Sequence, residues 1–485
     1  MLEKLKERSF QNVLILIIAI LIFSLVYLWK NDFSESSNIL ILGCASTLLL
    51  LTLFFNLNWY YLALVFFIPL SLEAGVFGGA QISFPSEALL VLALPILLIF
   101  NRDYRSGLLE AVKHPLAIIL IVDLGFLLIA ALFSSDIAVS LKRVIIRVIF
   151  FFGFFGLYFL FKDKRKVTLP LLAYIIGLVP VMYFTLIKHA RSGFDARRVF
   201  DISAPYYSDH TIYGACIAFT LPMLVIVLWK RKLFIKQRWH LYLLSIILTL
   251  LVISEIAALS RAAILSLVVA GIFMLLLHFR LKFSLLMITL VCSLGVLFAF
   301  RNEIYDQLSQ NDAVSNDGDL VNHFSSTTNL NSDASNMERI NRWICAWRMF
   351  EEKPLIGYGP GTYQFNYNQF QTISNKTYIS TNSGNRGNAH SEYLTYLSET
   401  GIIGLVIFIM LVLGTIYFGM QNHYETQELY LRYLNLGALL GIVTFFFHGL
   451  FNSFIDQSKM AFLVYSAIAI IVWVRVKGNS LSKTS

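Results

Sequence analysis

The chain has 485 residues, of which 57% are hydrophobic and only 14% charged, and its net charge is +9. A soluble protein carries about 25% charged residues, so much of the usual polar cover is missing. This excludes an ordinary cytosolic enzyme, a secreted disulfide scaffold and a disordered chain, and predicts an integral membrane protein with many spans.

The N-terminus places Lys4, Lys6 and Arg8 before an apolar run at 12–29. That run is longer than a signal-peptide core and no small-residue cleavage pattern follows, which predicts an uncleaved first span. A helix needs about 20 apolar residues to cross the hydrocarbon with its backbone bonded internally. Further candidates follow at 38–56, 59–72, 86–100, 116–133, 144–161, 167–187, 211–229, 240–259, 261–278, 283–300, 402–419, 431–449 and 459–475. The third and fourth carry Pro69, Glu73, Pro85 and Glu87 near their ends, so half-spans or re-entrant segments stay open there. The predicted fold is an all-α polytopic bundle of 12–14 transmembrane helices. Its parts are an N-terminal bundle over 1–300 with about 11 spans, a polar segment over 301–401, C-terminal spans over 402–477 and a tail over 478–485.

With the N-terminus in the cytoplasm, predicted inner segments hold 21 Lys and Arg against 9 in short outer loops. This is the positive-inside bias. It predicts cytoplasmic termini and puts 301–401 on the outer side of the cytoplasmic membrane. The net charge is therefore an orientation signal and not a nucleic-acid footprint. Arg191, Arg197 and Arg198 in one outer loop, and Arg261 in a tight outer turn, run against the bias. Anionic lipid headgroups and a bound diphosphate are both open as their partners.

Cys44, Cys216 and Cys292 sit in apolar runs and Cys345 in the polar segment. No Cys-x-x-Cys or Cys/His spacing suggests a metal or redox cofactor, so they read as small buried hydrophobes.

Within the polar segment, 309–336 is rich in Asn, Ser and Asp and is expected to be a mobile insertion. From 337 to 400 order is predicted. Ile340, Trp343, Ile344, Trp347 and Phe350 form one face of an amphipathic helix over 337–352, with Arg339, Arg342 and Arg348 elsewhere on its circumference. Gly357-Tyr-Gly-Pro-Gly361 is a turn-rich link. After Gly384-Asn-Arg386-Gly-Asn388, Asn388 is the predicted N-cap of a helix with His390 in its first turn, where free N–H groups favour an anion. His448, Asn452 and Asp456 are spaced to line one helical stripe at the outer end of a span. They are a poor transition-metal set, and a supporting or acceptor-binding role is expected.

Arg339-x-x-x-Trp343, Lys353-Pro-Leu-Ile-Gly-Tyr-Gly-Pro-Gly361, Ala389-His-Ser-Glu-Tyr-Leu394 and Glu399-Thr-Gly-Ile-Ile-Gly404 together resemble the O-antigen ligase and polymerase family. Ser260-Arg261, and more weakly Ser135-Asp136 with Ser140-Leu-Lys-Arg143, resemble its upstream motifs, so the match in motif order covers roughly residues 130–460. The resemblance implies a metal-independent, inverting glycosyltransferase of the inner membrane. Such an enzyme takes a glycan from a polyprenyl diphosphate carrier on the periplasmic side and delivers it to a sugar hydroxyl, on lipid A-core or on another carrier-linked glycan. No cofactor and no nucleic acid is implied. The family's histidine corresponds to His390 and its span-start arginine to Arg261; a second arginine falls in the Arg197/Arg198 region. Where the family has Asn after Ala-His, this chain has Ser391. On this resemblance Arg261 with Arg197 or Arg198 binds the diphosphate and His390 accepts the acceptor's proton. Arg191 from the outer cluster and His448 from its place at a span end are further candidate contacts to glycan or phosphate, and Arg339, Arg342 and Arg386 are read equally as such contacts or as surface charges. A repeat-unit polymerase, a protein glycan ligase and, from another class, a polysaccharide transporter or lipid flippase are the rival readings.

Overall fold

The computed structural model describes residues 57–76, 80–288, 334–371 and 387–481. The sequence-predicted spans 12–29 and 38–56, most of 283–300, the insertion over 309–333, Arg386 and the last residues of the tail lie outside the described residues.

The chain is an all-α polytopic membrane protein. Among the described residues nine helices are long and apolar enough to cross a bilayer. In chain order the elements are α1 (Leu57–Phe67), β1 (Leu72–Val76), β2 (Ala80–Phe84), α2 (Ser86–Phe100), α3 (Arg102–Ala111), α4 (Pro115–Leu132) and α5 (Ile137–Phe150). Then come α6 (Leu169–Arg191), α7 (His210–Trp229), α8 (Arg238–Ala257), α9 (Arg261–His278), α10 (Ala334–Glu352), α11 (Glu392–Glu425), α12 (Leu429–His448) and α13 (Ser458–Leu481). The two short candidates resolve into α1 and α2, neither long enough to span, joined by an antiparallel hairpin in which Leu72 pairs with Phe84 and Val76 with Ala80. Ser83 Oγ accepts from Ser458 Oγ at 2.9 Å, which ties this hairpin to the start of α13.

Side-chain caps fix several helix starts. Asp136 accepts from Val139 N, Asp209 from Thr211 N and Ser391 from Leu394 N. Each satisfies a backbone donor left over by the helix pattern. α5 does not end cleanly. It continues as a π-turn over Phe151–Phe155 and a 3₁₀ turn over Gly156–Leu160, within a single span.

α7, α12 and α13 form the inside of the bundle, with 78–89% of their apolar windows buried; α8 and α9 show 28% and turn most of their surface outward. A helix apolar on all sides belongs in a protein core or in lipid, and both solutions occur here. Cys216 and Cys345 are free and buried.

The two ends of the bundle differ. At one end Lys162 pairs with Asp103, Lys164 with Glu428, Arg475 with Glu425 and Lys477 with Glu110. These four cations belong to the segments expected to be cytoplasmic. The other end gathers the hairpin, residues 133–143, the 192–209 loop, the turn before α9, α10 with the loop after it, and the 449–457 loop.

Candidate functional site

The site end is organised by a break in α11. Gly401 lies inside this helix with φ 65° and ψ −165°, a conformation open to glycine and closed to bulkier residues. At that break the loop after α10 packs backbone against backbone. A Cβ on Gly401 would lie 2.4 Å from the Leu355 carbonyl carbon, and one on Gly357 (φ 73°) would lie 2.4 Å from that of Glu399. Ile402 N donates to Pro354 O at 2.8 Å, Tyr358 N to Ser398 O at 3.1 Å and Gly359 N to Glu399 O at 2.8 Å. The Glu399 carboxylate accepts Gly361 N at 2.7 Å and Tyr363 N at 3.0 Å. On its other side the same loop meets the start of α5: Ser135 N donates to Tyr358 O at 2.8 Å and Ser140 Oγ to Pro360 O at 2.9 Å. Three sequence motifs far apart in the chain are thus one structural unit.

α10 closes over this unit. It begins at Ala334, three residues earlier than expected, so the end of the predicted mobile insertion is helical. Its apolar stripe is not the face it buries. Ile340, Trp343, Ile344 and Phe350 are half-buried and Trp347 is exposed, whereas Asn341, Arg342, Cys345, Ala346 and Met349 are buried. The reason is the partner surface. Tyr358, Tyr363, Tyr367 and Ala389 form a small second core with that face, and they offer polar groups as well as rings; Tyr363 Oη donates to Arg342 O at 2.8 Å.

His390 sits between this core and α12. The expected helix start at Asn388 is corrected: the cap is Ser391, and His390 precedes the helix with φ 48°. A left-handed non-glycine residue costs about 1–2 kcal/mol, and here three bonds hold the turn. Asn388 Oδ1 accepts His390 N at 2.9 Å, Trp343 Nε1 donates to His390 O at 3.3 Å, and Arg342 Nη1 donates to Asn388 O at 3.1 Å. Burial, reinforced by Arg342 and Arg339, pushes the His390 imidazole down to about 3, against the upward pull of Asp209 and Asn452. This direction favours the neutral imidazole.

The predicted helical stripe from His448 to Asp456 is also corrected. α12 ends at His448, and the chain turns through 449–457 before α13. His448 is buried, with Nε2 at 3.3 Å from Asn452 Nδ2. Asp456 leaves the group and binds Arg147 Nε at 2.5 Å and Arg143 Nη1 at 2.9 Å. Burial alone would push the Asp456 carboxyl up; the two arginines override it and hold it below the usual carboxylate range. Arg147 Nη1 also donates to Tyr396 Oη at 2.7 Å, and Tyr396 Oη to Asp123 Oδ2 at 3.3 Å. Glu392 completes this layer by accepting Ile455 N at 2.7 Å, Phe454 N and Ser453 Oγ. Sequence reasoning gave Asp123, Arg147 and Glu392 no role. The available signal was the lone charges Asp123 and Arg147 inside apolar runs, since an ionisable residue at membrane depth needs a partner.

The outer arginines divide into groups. Arg261 is the first residue of α9, preceded by Ser260, whose Cβ lies against Gly214 in the first turns of α7. Arg191 ends α6 and Arg198 lies in a 3₁₀ turn over Ala196–Asp201, both exposed; the Arg197 side chain lies outside the described residues. Arg339 is within electrostatic reach of His390 and His448. Arg342 is buried and donates to Glu338 Oε1 at 2.9 Å as well as to Asn388 O. Asp209, the α7 cap, links the groups, because it acts on His390 while α7 touches Ser260. Among the described residues no group of three or more His, Cys, Asp and Glu is placed to hold a metal ion.

Residues 246–409 match the family model described as O-antigen ligase. That stretch of the chain is similar to the O-antigen ligase family. The matched segment runs from α8 through Ser260-Arg261, α10, the glycine loop and His390 into α11. Arg143, Arg147, Asp209 and Asp456, which border the matched segment at the site, lie outside the match. Among curated proteins none matches the sequence significantly.

Proposed function

We propose that this O-antigen ligase-like protein transfers a glycan from a polyprenyl diphosphate carrier to a sugar hydroxyl at the periplasmic face of the inner membrane. The observation that carries the reading is the setting of His390: an imidazole on a left-handed turn held by Asn388, Trp343 and Arg342, with Arg339 in electrostatic reach and Arg261 at the same end of the bundle. A base for a hydroxyl must be unprotonated at working pH and lie within reach of its proton. In the proposed step the acceptor O–H proton passes to His390, and the freed oxygen pair attacks the anomeric carbon. The bond from that carbon to the diphosphate oxygen breaks, and polyprenyl diphosphate leaves with the electron pair. Attack opposite the leaving group inverts the anomeric centre. Arg261, with Arg197 or Arg198, receives the diphosphate, since guanidinium groups match phosphate oxygens with paired donors. Arg339 supplies further positive charge next to His390. Arg342, already bonded within the chain, holds the His390 turn.

The test is transfer by purified protein in liposomes containing carrier-linked glycan, with lipid A-core, a second carrier-linked glycan and a protein as alternative acceptors. Transfer to lipid A-core defines a ligase and transfer to carrier-linked glycan a polymerase. Glycan movement across the bilayer without transfer would refute the enzyme reading. His390→Ala is expected to abolish transfer while donor still binds.

A further inference from the structure

Four non-glycine residues among those described hold a left-handed backbone: Phe194, Leu259, Arg280 and His390, with φ of 56°, 49°, 53° and 48°. Arg280 is exposed and belongs to the opposite end. The other three border the candidate site. A bulky L residue is disfavoured in this region, because Cβ crowds the following carbonyl oxygen, and it persists only where its surroundings hold it.

Leu259 is the informative case. It lies in the short link between α8 and α9, with its N–H donating to Ile256 O at 3.2 Å, and Arg261 opens α9 two residues on. Glycine would make this turn without strain. Leucine adds a side chain, and that side chain is 6% exposed. Its cluster is Val199 and Ile202, separate from the main core of the bundle. Val199 belongs to the 3₁₀ turn that carries Arg197 and Arg198, and Ile202 follows it directly. A three-residue cluster buries little area for stability. It does fix the distance between two arginine-bearing segments that come from different parts of the chain.

We propose that Leu259 is a positioning residue that registers Arg261 against the Arg197–Arg198 turn, so that both segments grip one diphosphate. The inference rests on the donor reading given above. Its physical content is preorganisation: two cationic segments held at one spacing lose less freedom on binding than two that must be brought together. The ligand class is a polyprenyl diphosphate, glycan-linked in the donor and free in the product, whose two phosphates can each take a guanidinium.

The experiment measures binding of polyprenyl diphosphate to the purified full-length protein, with thermal unfolding recorded in parallel. Leu259→Gly keeps the turn and loses the contact; it should weaken binding about tenfold with little change in unfolding temperature. Leu259→Met should restore most of the affinity. Val199→Ala should weaken binding by itself, yet add little in the Leu259→Gly background, because both remove one contact. In transfer assays the loss should appear in the donor KM and leave kcat nearly unchanged. If Leu259→Gly fails to fold, Val199→Ala with Ile202→Ala leaves position 259 untouched and carries the test, and unchanged affinity overturns the proposal. Arg261→Ala separates the two levels. If it binds polyprenyl diphosphate normally, the donor reading itself fails; if it loses binding while Leu259→Gly does not, only the role of Leu259 fails.

Discussion

Glu399 and Gly361 meet through a 2.7 Å hydrogen bond, from backbone N–H to carboxylate, and the same carboxylate takes Tyr363 N–H at 3.0 Å. A buried acid from the helix that enters the membrane thus satisfies two backbone donors of the loop above it. Glu399→Ala strands both buried donors, each at a cost of about 1–3 kcal/mol. The expected result is a loss of roughly 2–6 kcal/mol in stability and new protease cleavage between 353 and 371. Glu399→Gln retains one acceptor and should lose less. Equal stability of all three proteins would show that this carboxylate does not hold the loop.

Gly401→Ala and Gly357→Ala each place a Cβ 2.4 Å from a backbone carbon and force an L residue to positive φ. Neither neighbour can rotate away, because each is main chain. Both variants should expel the loop from its seat and cut transfer at least tenfold, while helix content measured by circular dichroism stays near wild type. A fully active Gly401→Ala would contradict the interlock.

His390 makes a prediction about pH. With its pKa lowered to about 3, the imidazole is already neutral at pH 5, so kcat/KM should stay flat from pH 8 to 5 and fall only in stronger acid. The folded pKa lies below the ordinary value of about 6.5. The corresponding stability is therefore present above that value and is lost as pH falls through the folded pKa. Arg339→Gln removes a nearby cation and should move the acid limb upward. An acid limb near pH 6.5 in the wild type would count against the lowered pKa of His390.

Asp456 compensates two arginines at once. Removing one partner of a buried ion pair typically costs about 3–5 kcal/mol. Arg147→Ala and Asp456→Asn should each lower stability by that order. The double variant should lose less than the sum, because the groups share one network. Additive losses in a double-mutant cycle would refute the coupling.

Arg261→Lys preserves the charge and removes the planar fork of donors. It is expected to reduce transfer about tenfold or more and to weaken polyprenyl diphosphate binding. Normal kinetics would mean that paired recognition of phosphate does not occur at this position.

Much of the architecture was legible because crossing a membrane is a one-dimensional constraint. Apolar length alone found Pro115–Leu132 and Arg238–Ala257 within a few residues. The motif strings around Gly357, His390 and Arg261 were equally visible. What they do to one another was not. Helical periodicity identified the stripe of Ile340, Trp343 and Trp347, but which face of α10 is buried was decided by tyrosines that come later in the chain. Spacing suggested that His448, Asn452 and Asp456 share a helix; the helix ends at the first of them, and Asp456 answers to arginines in α5. Asn388 looked like a cap, yet its side chain bonds His390 N in a local turn and leaves capping to Ser391. Each miss is a case where a distant partner outbid a local preference.

The bond between Arg147 and Asp456 also sets an order of biosynthesis. Arg147 leaves the ribosome 309 residues ahead of its carboxylate. A guanidinium at the centre of a membrane helix costs about 2.5–3.5 kcal/mol to insert. During most of translation Asp123, in the neighbouring helix, is the nearby acid already made. The pairing becomes complete only when the 449–457 loop emerges, so a nascent chain interrupted before Asp456 has for Arg147 only the more distant Asp123, at 3.9 Å.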